Sequence, residues 1–141
     1  MPVDVKYRTT AIATGGRDGR AATEDGSFQV NLSTPKELGG AGGEGANPEQ
    51  LIASGYAACF IGAMKAAAGP LQLKVPPETT VHATVGIGPR SEGGFGLEVA
   101  LKVVLPGLDH ADAQRLVESA HQICPYSNAT RNNIDVKLSV A

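Results

Sequence analysis

Two thiols are present in this chain, and each sits in an unusual local context. Cys59 lies inside the apolar run Gly55-Tyr56-Ala57-Ala58-Cys59-Phe60-Ile61-Gly62. Cys124 opens the run Cys124-Pro125-Tyr126-Ser127-Asn128-Ala129-Thr130-Arg131, directly ahead of a helix breaker. At 65 positions apart they form no CxxC motif, so any partnership between them must be made by the fold. A fold that joins them lets the chain cycle between dithiol and disulfide, which is thiol redox chemistry.

The nucleophile in such chemistry is the thiolate, favoured by a nearby cation or helix N-terminus. Pro125 is a good first residue for a further short helix, so on local sequence Cys124 is the more activated thiol. Cys59, mid-helix and buried, has a raised pKa unless the fold brings a positive group to it. Among the twelve Lys and Arg, Arg17 is oddly placed, within Gly15-Gly16-Arg17-Asp18-Gly19, where little else carries a side chain. A guanidinium is best fixed by a carboxylate that accepts two of its N–H groups, and Glu49, at the start of the cysteine-bearing helix, is the candidate. Each residue also has a plainer reading: Cys59 as a small hydrophobe, Arg17 as a solvated turn residue, Glu49 as a helix-dipole residue.

Other chemistries find less support. His121-x-x-Cys124 is half of a zinc site. Its completion would need Cys59 and one of His82, His110 or Glu49, with no second tight ligand pair, so no metal is expected. Gly40 to Gly45 spells GxGxxG, but no apolar strand precedes it, and Lys65 stands where an acid would be needed about 20 positions on. That segment reads as a flexible, close-packing loop. Ala53-Ser54-Gly55 lies within a helix and lacks the GxSxG of a serine hydrolase.

The elements that must position these residues follow from periodicity. Val3, Val5 and Tyr7 alternate, and Thr9 to Thr14 continues a β-friendly run up to the glycine turn; Phe28, Val30 and Leu32 alternate again. Asn47-Pro48-Glu49 is a helix start, and the helix runs from Pro48 to about Ala68, ahead of Gly69-Pro70. It is apolar nearly all round, which predicts a central buried helix whose small residues admit a second such helix, including one from a partner chain. Val81 to Ile87 and Leu97 to Val103 alternate on either side of a Gly/Pro turn, as a hairpin. Leu108 to Cys124 returns to helical spacing, and Ile134, Val136, Leu138 and Val140 form a last strand. The sum is one α+β domain over residues 1–141 with a largely antiparallel sheet.

Composition bounds the function. A net charge of −2 and only six aromatic residues, none of them Trp, argue against nucleic acid and anionic membrane. No stretch is read as reaching the ~20 apolar residues of a membrane helix, and Met1-Pro2-Val3-Asp4 begins no signal peptide. The expected address is the cytoplasm, where cysteines are more often catalytic, metal-binding or inert than permanently cross-linked.

The glycine turn 15–19, Asn47-Pro48-Glu49-Gln50-Leu51, the Cys59 run and the Cys124 run together resemble the organic hydroperoxide resistance proteins of the OsmC-like family. Gly93-Gly94-Phe95-Gly96-Leu97 and Asn133-Ile134-Asp135-Val136 fit as well, so the resemblance spans the chain. It implies antiparallel sheets wrapped around long central helices in an intertwined homodimer, and a thiol peroxidase active in the response to oxidative stress. It assigns Cys59 as the peroxidatic cysteine, Cys124 as the resolving one, Arg17 as the activating cation and Glu49 as the acid that holds it. This reverses the order of the two thiols read from local sequence. The resemblance further implies alkyl or fatty-acid hydroperoxides as substrates, lipoylated proteins or dihydrolipoamide as reductant, and no metal or flavin cofactor. Phe60, Ile61, Met64 and Phe95 are expected to give Cys59 an apolar surround.

Two consequences follow for geometry. Glu49 and Cys59 are ten residues apart on one helix, about 15 Å along its axis, so the Glu49 serving each Cys59 is expected from the other subunit. The Arg17 turn, with Gly16 and Gly19 beside it, is expected to swing away once a disulfide forms. The alternatives are an OsmC-like relative with a broader peroxide range and a binding protein whose thiols stay reduced.

Overall fold

The computed structural model describes residues 2–141, which form two compact units, one ending at Pro48 and the other running Glu49–Ala141. The first is a small antiparallel sheet of β1 (Ala11–Thr14), β2 (Arg20–Thr23) and β3 (Gln29–Asn31), in that spatial order. The link from β1 to β2 is a single 3-10 turn, Gly16–Asp18. Gly15 and Gly16 enter it at φ 74° and 61°, a left-handed backbone that glycine adopts without steric cost. A second 3-10 turn, Lys36–Leu38, opens the glycine-rich loop, which closes through a parallel bridge between Leu32 and Ala46.

The alternating residues Val3 to Tyr7 form no strand, and the first strand begins only at Ala11. Alternation supplies a face but not a hydrogen-bonding neighbour, and a strand needs both. Val3 and Tyr7 are correspondingly exposed.

The second unit carries the core. Helix α1 spans Pro48–Ala68, with Pro48 at its first position, where a missing N–H costs nothing. Strands β4 (Thr80–Pro89) and β5 (Phe95–Val104) pair as an antiparallel hairpin from Thr80↔Val104 to Pro89↔Phe95. Helix α2 (His110–Ile123) is capped by Asp109, whose carboxylate accepts from the Ala111 N–H at 3.1 Å. Helix α3 (Pro125–Thr130) follows at once, and β6 (Val136–Val140) completes the sheet. Strand β6 runs parallel to β5, Val99↔Val136 to Val103↔Val140, so this sheet is mixed and not antiparallel throughout. The two helices between them form the crossover that a parallel neighbour requires.

Alternate residues of β5 (Val99, Leu101, Val103) meet Tyr56, Phe60, Ala63, Met64 and Ala67 of α1, and Ala113, Leu116, Val117 and Ala120 of α2, in one apolar cluster. The expectation that α1 is buried all round holds on one side only. Residues Ser54, Ala58, Gly62 and Lys65 lie on the opposite side and are exposed in the single chain. At 21 residues α1 is also long and apolar enough to cross a membrane by composition, which corrects the reading that no stretch approaches that size. Its deep packing against β5 and α2 is the behaviour of a core helix.

Candidate active site

Pro125 makes the corner on which the site rests. The residue before a proline is driven out of the helical region, and Cys124 adopts φ −64°, ψ 125°. Cys124 therefore ends α2, its N–H bonding to the Ala120 carbonyl at 2.8 Å, and caps α3, its carbonyl accepting from the Asn128 N–H at 2.9 Å. Its side chain points into the core and is wholly buried. There it meets Cys59 of α1, with the two Sγ atoms 3.6 Å apart and both cysteines reduced. A disulfide needs about 2.05 Å, so side-chain rotation and a small approach of α1 and the α2–α3 corner suffice to close it.

Burial pushes the Cys59 thiol above its ordinary pKa, and the neighbouring Cys124 pushes it further. The backbone N–H of Tyr126, the first amide available after the proline, hydrogen-bonds the Cys59 sulfur and opposes both. The Tyr126 ring leans on Tyr56 with centroids 5.6 Å apart. Its hydroxyl sits over Gly55, where an added Cβ would lie 2.9 Å from that oxygen. One turn of α1, residues 55 to 59, thus seats the start of α3.

Behind the thiols runs a polar chain. The Tyr56 hydroxyl lies 2.8 Å from Ser127 Oγ and 3.3 Å from Thr130 Oγ1. Ser127 Oγ lies 2.8 Å from His121 Nδ1, and the Arg131 guanidinium donates to the His121 carbonyl at 2.7 Å. Burial, then the charge of Arg131, hold the His121 pKa below its ordinary value. Sequence reading missed Tyr56, Tyr126, Ser127 and Thr130. The available signal was Tyr56, a hydroxyl in an apolar helix that must find a partner when buried.

The structure thus brings Cys59 and Cys124 together. Glu49 stands in the first turn of α1, and Arg17, partly buried, in the 3-10 turn of the first unit. The His121 ring engages Ser127, His82 engages Thr80 on the strand surface, and His110 opens α2. Among the described residues no three His, Cys, Asp or Glu gather as metal ligands. Phe60, Met64 and Ile61 pack in the cluster that includes Cys59. Phe95 does not: it is 72% exposed at the hairpin end of β5, where the neighbouring glycines leave it no apolar cover.

A protein-family model described as OsmC-like protein matches residues 40–139. The chain belongs to the OsmC-like family. Within that family it is similar to an organic hydroperoxide resistance protein from Xanthomonas axonopodis pv. citri, 59% identical over 99% of this chain and 98% of that one. A solved organic hydroperoxide resistance protein from Elizabethkingia anophelis superposes with a TM-score of 0.91 at 49% identity, covering 99% of both chains. OhrB of Bacillus subtilis superposes at 0.87 and 40% identity, over 96% of this chain and 98% of that one. The OsmC-like fold and the juxtaposed thiols are therefore features of one molecule.

Proposed function

We propose that this OsmC-like protein is a thiol peroxidase for organic hydroperoxides, with Cys59 as the attacking thiolate and Cys124 as the resolving thiol. The observation that carries the reading is the 3.6 Å approach of two reduced sulfurs that are 65 positions apart. The names of the full-length relatives support the substrate class.

The Cys59 thiolate attacks the hydroperoxide oxygen remote from carbon. The O–O bond breaks, the alkoxide takes a proton and leaves as alcohol, and Cys59 becomes a sulfenic acid. The Cys124 thiol attacks that sulfur, forming the disulfide and releasing water. An external dithiol, of the lipoyl class, reduces the disulfide and is itself oxidised. The balance is one hydroperoxide and one dithiol to one alcohol, one water and one cyclic disulfide. No step calls for a metal or flavin.

Burial and Cys124 both disfavour the Cys59 thiolate, so a cation must offset them. Arg17 is assigned that role, with Glu49 fixing its guanidinium; the same charge stabilises the departing alkoxide. Along α1 Glu49 stands about 15 Å from Cys59, so the acid at each site is assigned to Glu49 of the partner subunit in a homodimer. The exposed face of α1, lined by Ser54, Ala58 and Gly62, supports a second helix packing there. A cytoplasmic setting keeps both thiols reduced between turnovers.

The test is thiol titration and mass spectrometry after stoichiometric cumene hydroperoxide, with dihydrolipoamide turnover. Loss of both thiols to one intramolecular disulfide, with turnover, is the expected result. Survival of both thiols would overturn the reading and leave a binding protein.

A further inference from the structure

The glycine-rich loop that matches no nucleotide motif has a use in the first unit. Two of its glycines leave no room for a side chain: a Cβ on Gly40 would lie 2.2 Å from the Thr34 carbonyl oxygen, and one on Gly45 2.5 Å from Ser33 Oγ. The Gly42 N–H bonds to the Thr34 carbonyl at 3.1 Å, and the Ser33 N–H to the Ala46 carbonyl at 2.9 Å. The loop thereby clasps residues 32–34, and Thr34 is buried. That clasped segment grips the Arg17 turn at two successive residues. The Leu32 N–H bonds to the Gly19 carbonyl at 2.9 Å, and the Thr34 N–H bonds to Asp18 Oδ1 at 3.0 Å.

We infer that Asp18 is a positioning residue for Arg17: its carboxylate, latched to the Thr34 amide, sets the direction in which the neighbouring guanidinium is presented. The Thr34 hydroxyl adds a second bond, and together these hold the Asp18 pKa below its ordinary value, as expected for a carboxylate bonded in its charged form. The turn is thus not a loose glycine hinge. Gly19 is wedged, since a Cβ there would fall 1.7 Å from the Thr14 carbonyl oxygen. Movement of Arg17 during a cycle would have to release the Asp18–Thr34 latch first. The inference rests on the proposed role of Arg17 at Cys59.

The experiment compares full-length Asp18→Asn, Asp18→Glu and Arg17→Ala with wild type. Two readouts are taken: the pH midpoint of Cys59 alkylation, resolved by peptide mass spectrometry, and the second-order rate with cumene hydroperoxide. Asparagine keeps the acceptor oxygen in place without charge; glutamate keeps the charge and moves the oxygen by a methylene. The expected result is near-wild-type behaviour for Asp18→Asn, and for Asp18→Glu a raised Cys59 midpoint with a rate about tenfold lower, as a displaced guanidinium implies. Equal wild-type behaviour of both variants, or a loss in Asp18→Asn as large as in Asp18→Glu, would overturn the latch. Arg17→Ala separates the two levels. If it leaves Cys59 unchanged, the role of Arg17 fails; if it raises the midpoint while the Asp18 variants do not behave as expected, only the latch fails.

Discussion

The corner that holds the thiols and the turn that holds Arg17 are built by opposite means. Cys59 and Cys124 are kept in place by side chains: apolar packing around α1, the Tyr56–Tyr126 contact, and hydroxyls linking Tyr56, Ser127 and His121. The Arg17 turn is kept by backbone amides and by Gly15 and Gly19, which are too crowded to accept a Cβ. The first design tolerates changes in shape so long as volume and hydroxyl partners are kept. The second tolerates changes in side-chain chemistry but not an added atom.

The largest effects should come from the chemistry at the corner. Cys59→Ser should lower peroxide consumption by at least about 10³-fold, because a hydroxyl is a far weaker nucleophile than a thiolate. Cys124→Ser should consume peroxide in a single burst and then accumulate sulfinic acid, seen by mass spectrometry. Continued dithiol-supported turnover in Cys124→Ser would remove it from the resolving role.

Next in size are the effects expected from the roles proposed for Arg17 and Glu49. Arg17→Ala should cost about 10²-fold in rate, the usual loss when one preorganised charge partner is removed. Mixing Glu49→Gln chains with Cys59→Ser chains sharpens the comparison across subunits. Each homodimer should be impaired, while the mixed dimer regains one competent site, in which Cys59 is served by Glu49 of the partner subunit. Failure to regain activity in verified mixed dimers would place Glu49 and Cys59 of one chain at the same arginine.

Smaller effects concern stability. Gly19→Ala should destabilise by roughly 1–3 kcal/mol, because the Thr14 carbonyl cannot yield without breaking the turn. Ser127→Ala should cost about 1–3 kcal/mol by stranding the buried Tyr56 hydroxyl, with only the long Thr130 contact left to it. Denaturant melts of the two variants measure both, and near-zero costs would contradict the respective design.

The smallest effect is a pH dependence. The folded-state pKa of His121 lies below the 6.5 of the free side chain, so between those values the unfolded chain binds the proton and the folded chain does not. This contribution is present above about pH 6.5 and is lost as pH falls through the folded-state value. Melting temperature should therefore begin to fall below about pH 6.5, and His121→Asn should flatten that decline. Parallel declines in variant and wild type would assign it to other groups.

Much of the frame was legible. Pro48 and Gly69-Pro70 bracket α1, alternation marks the β4–β5 hairpin, and Pro125 announces the corner at Cys124. These are local signals, carried by backbone sterics within a few residues. Apart from the underrated apolar length of α1, the misreadings were nonlocal. Val3 to Tyr7 alternates without a paired neighbour, β6 runs parallel to β5, α1 is covered on one side in the single chain, and Phe95 is exposed, outside the apolar cluster. Hydropathy reports how much burial a segment favours, not which neighbour provides it.

For this protein, then, the sequence by itself determined where the helices and the β4–β5 hairpin lie, and which residues could carry thiol chemistry, because these depend on dihedral sterics and side-chain type. That two sulfurs 65 positions apart meet at 3.6 Å, and that an aspartate beside Arg17 latches an amide 16 residues further on, was decided only by the tertiary structure. Such approaches are set by how helices and sheet pack and by which backbone groups remain to be satisfied, and no run of neighbouring residues encodes either.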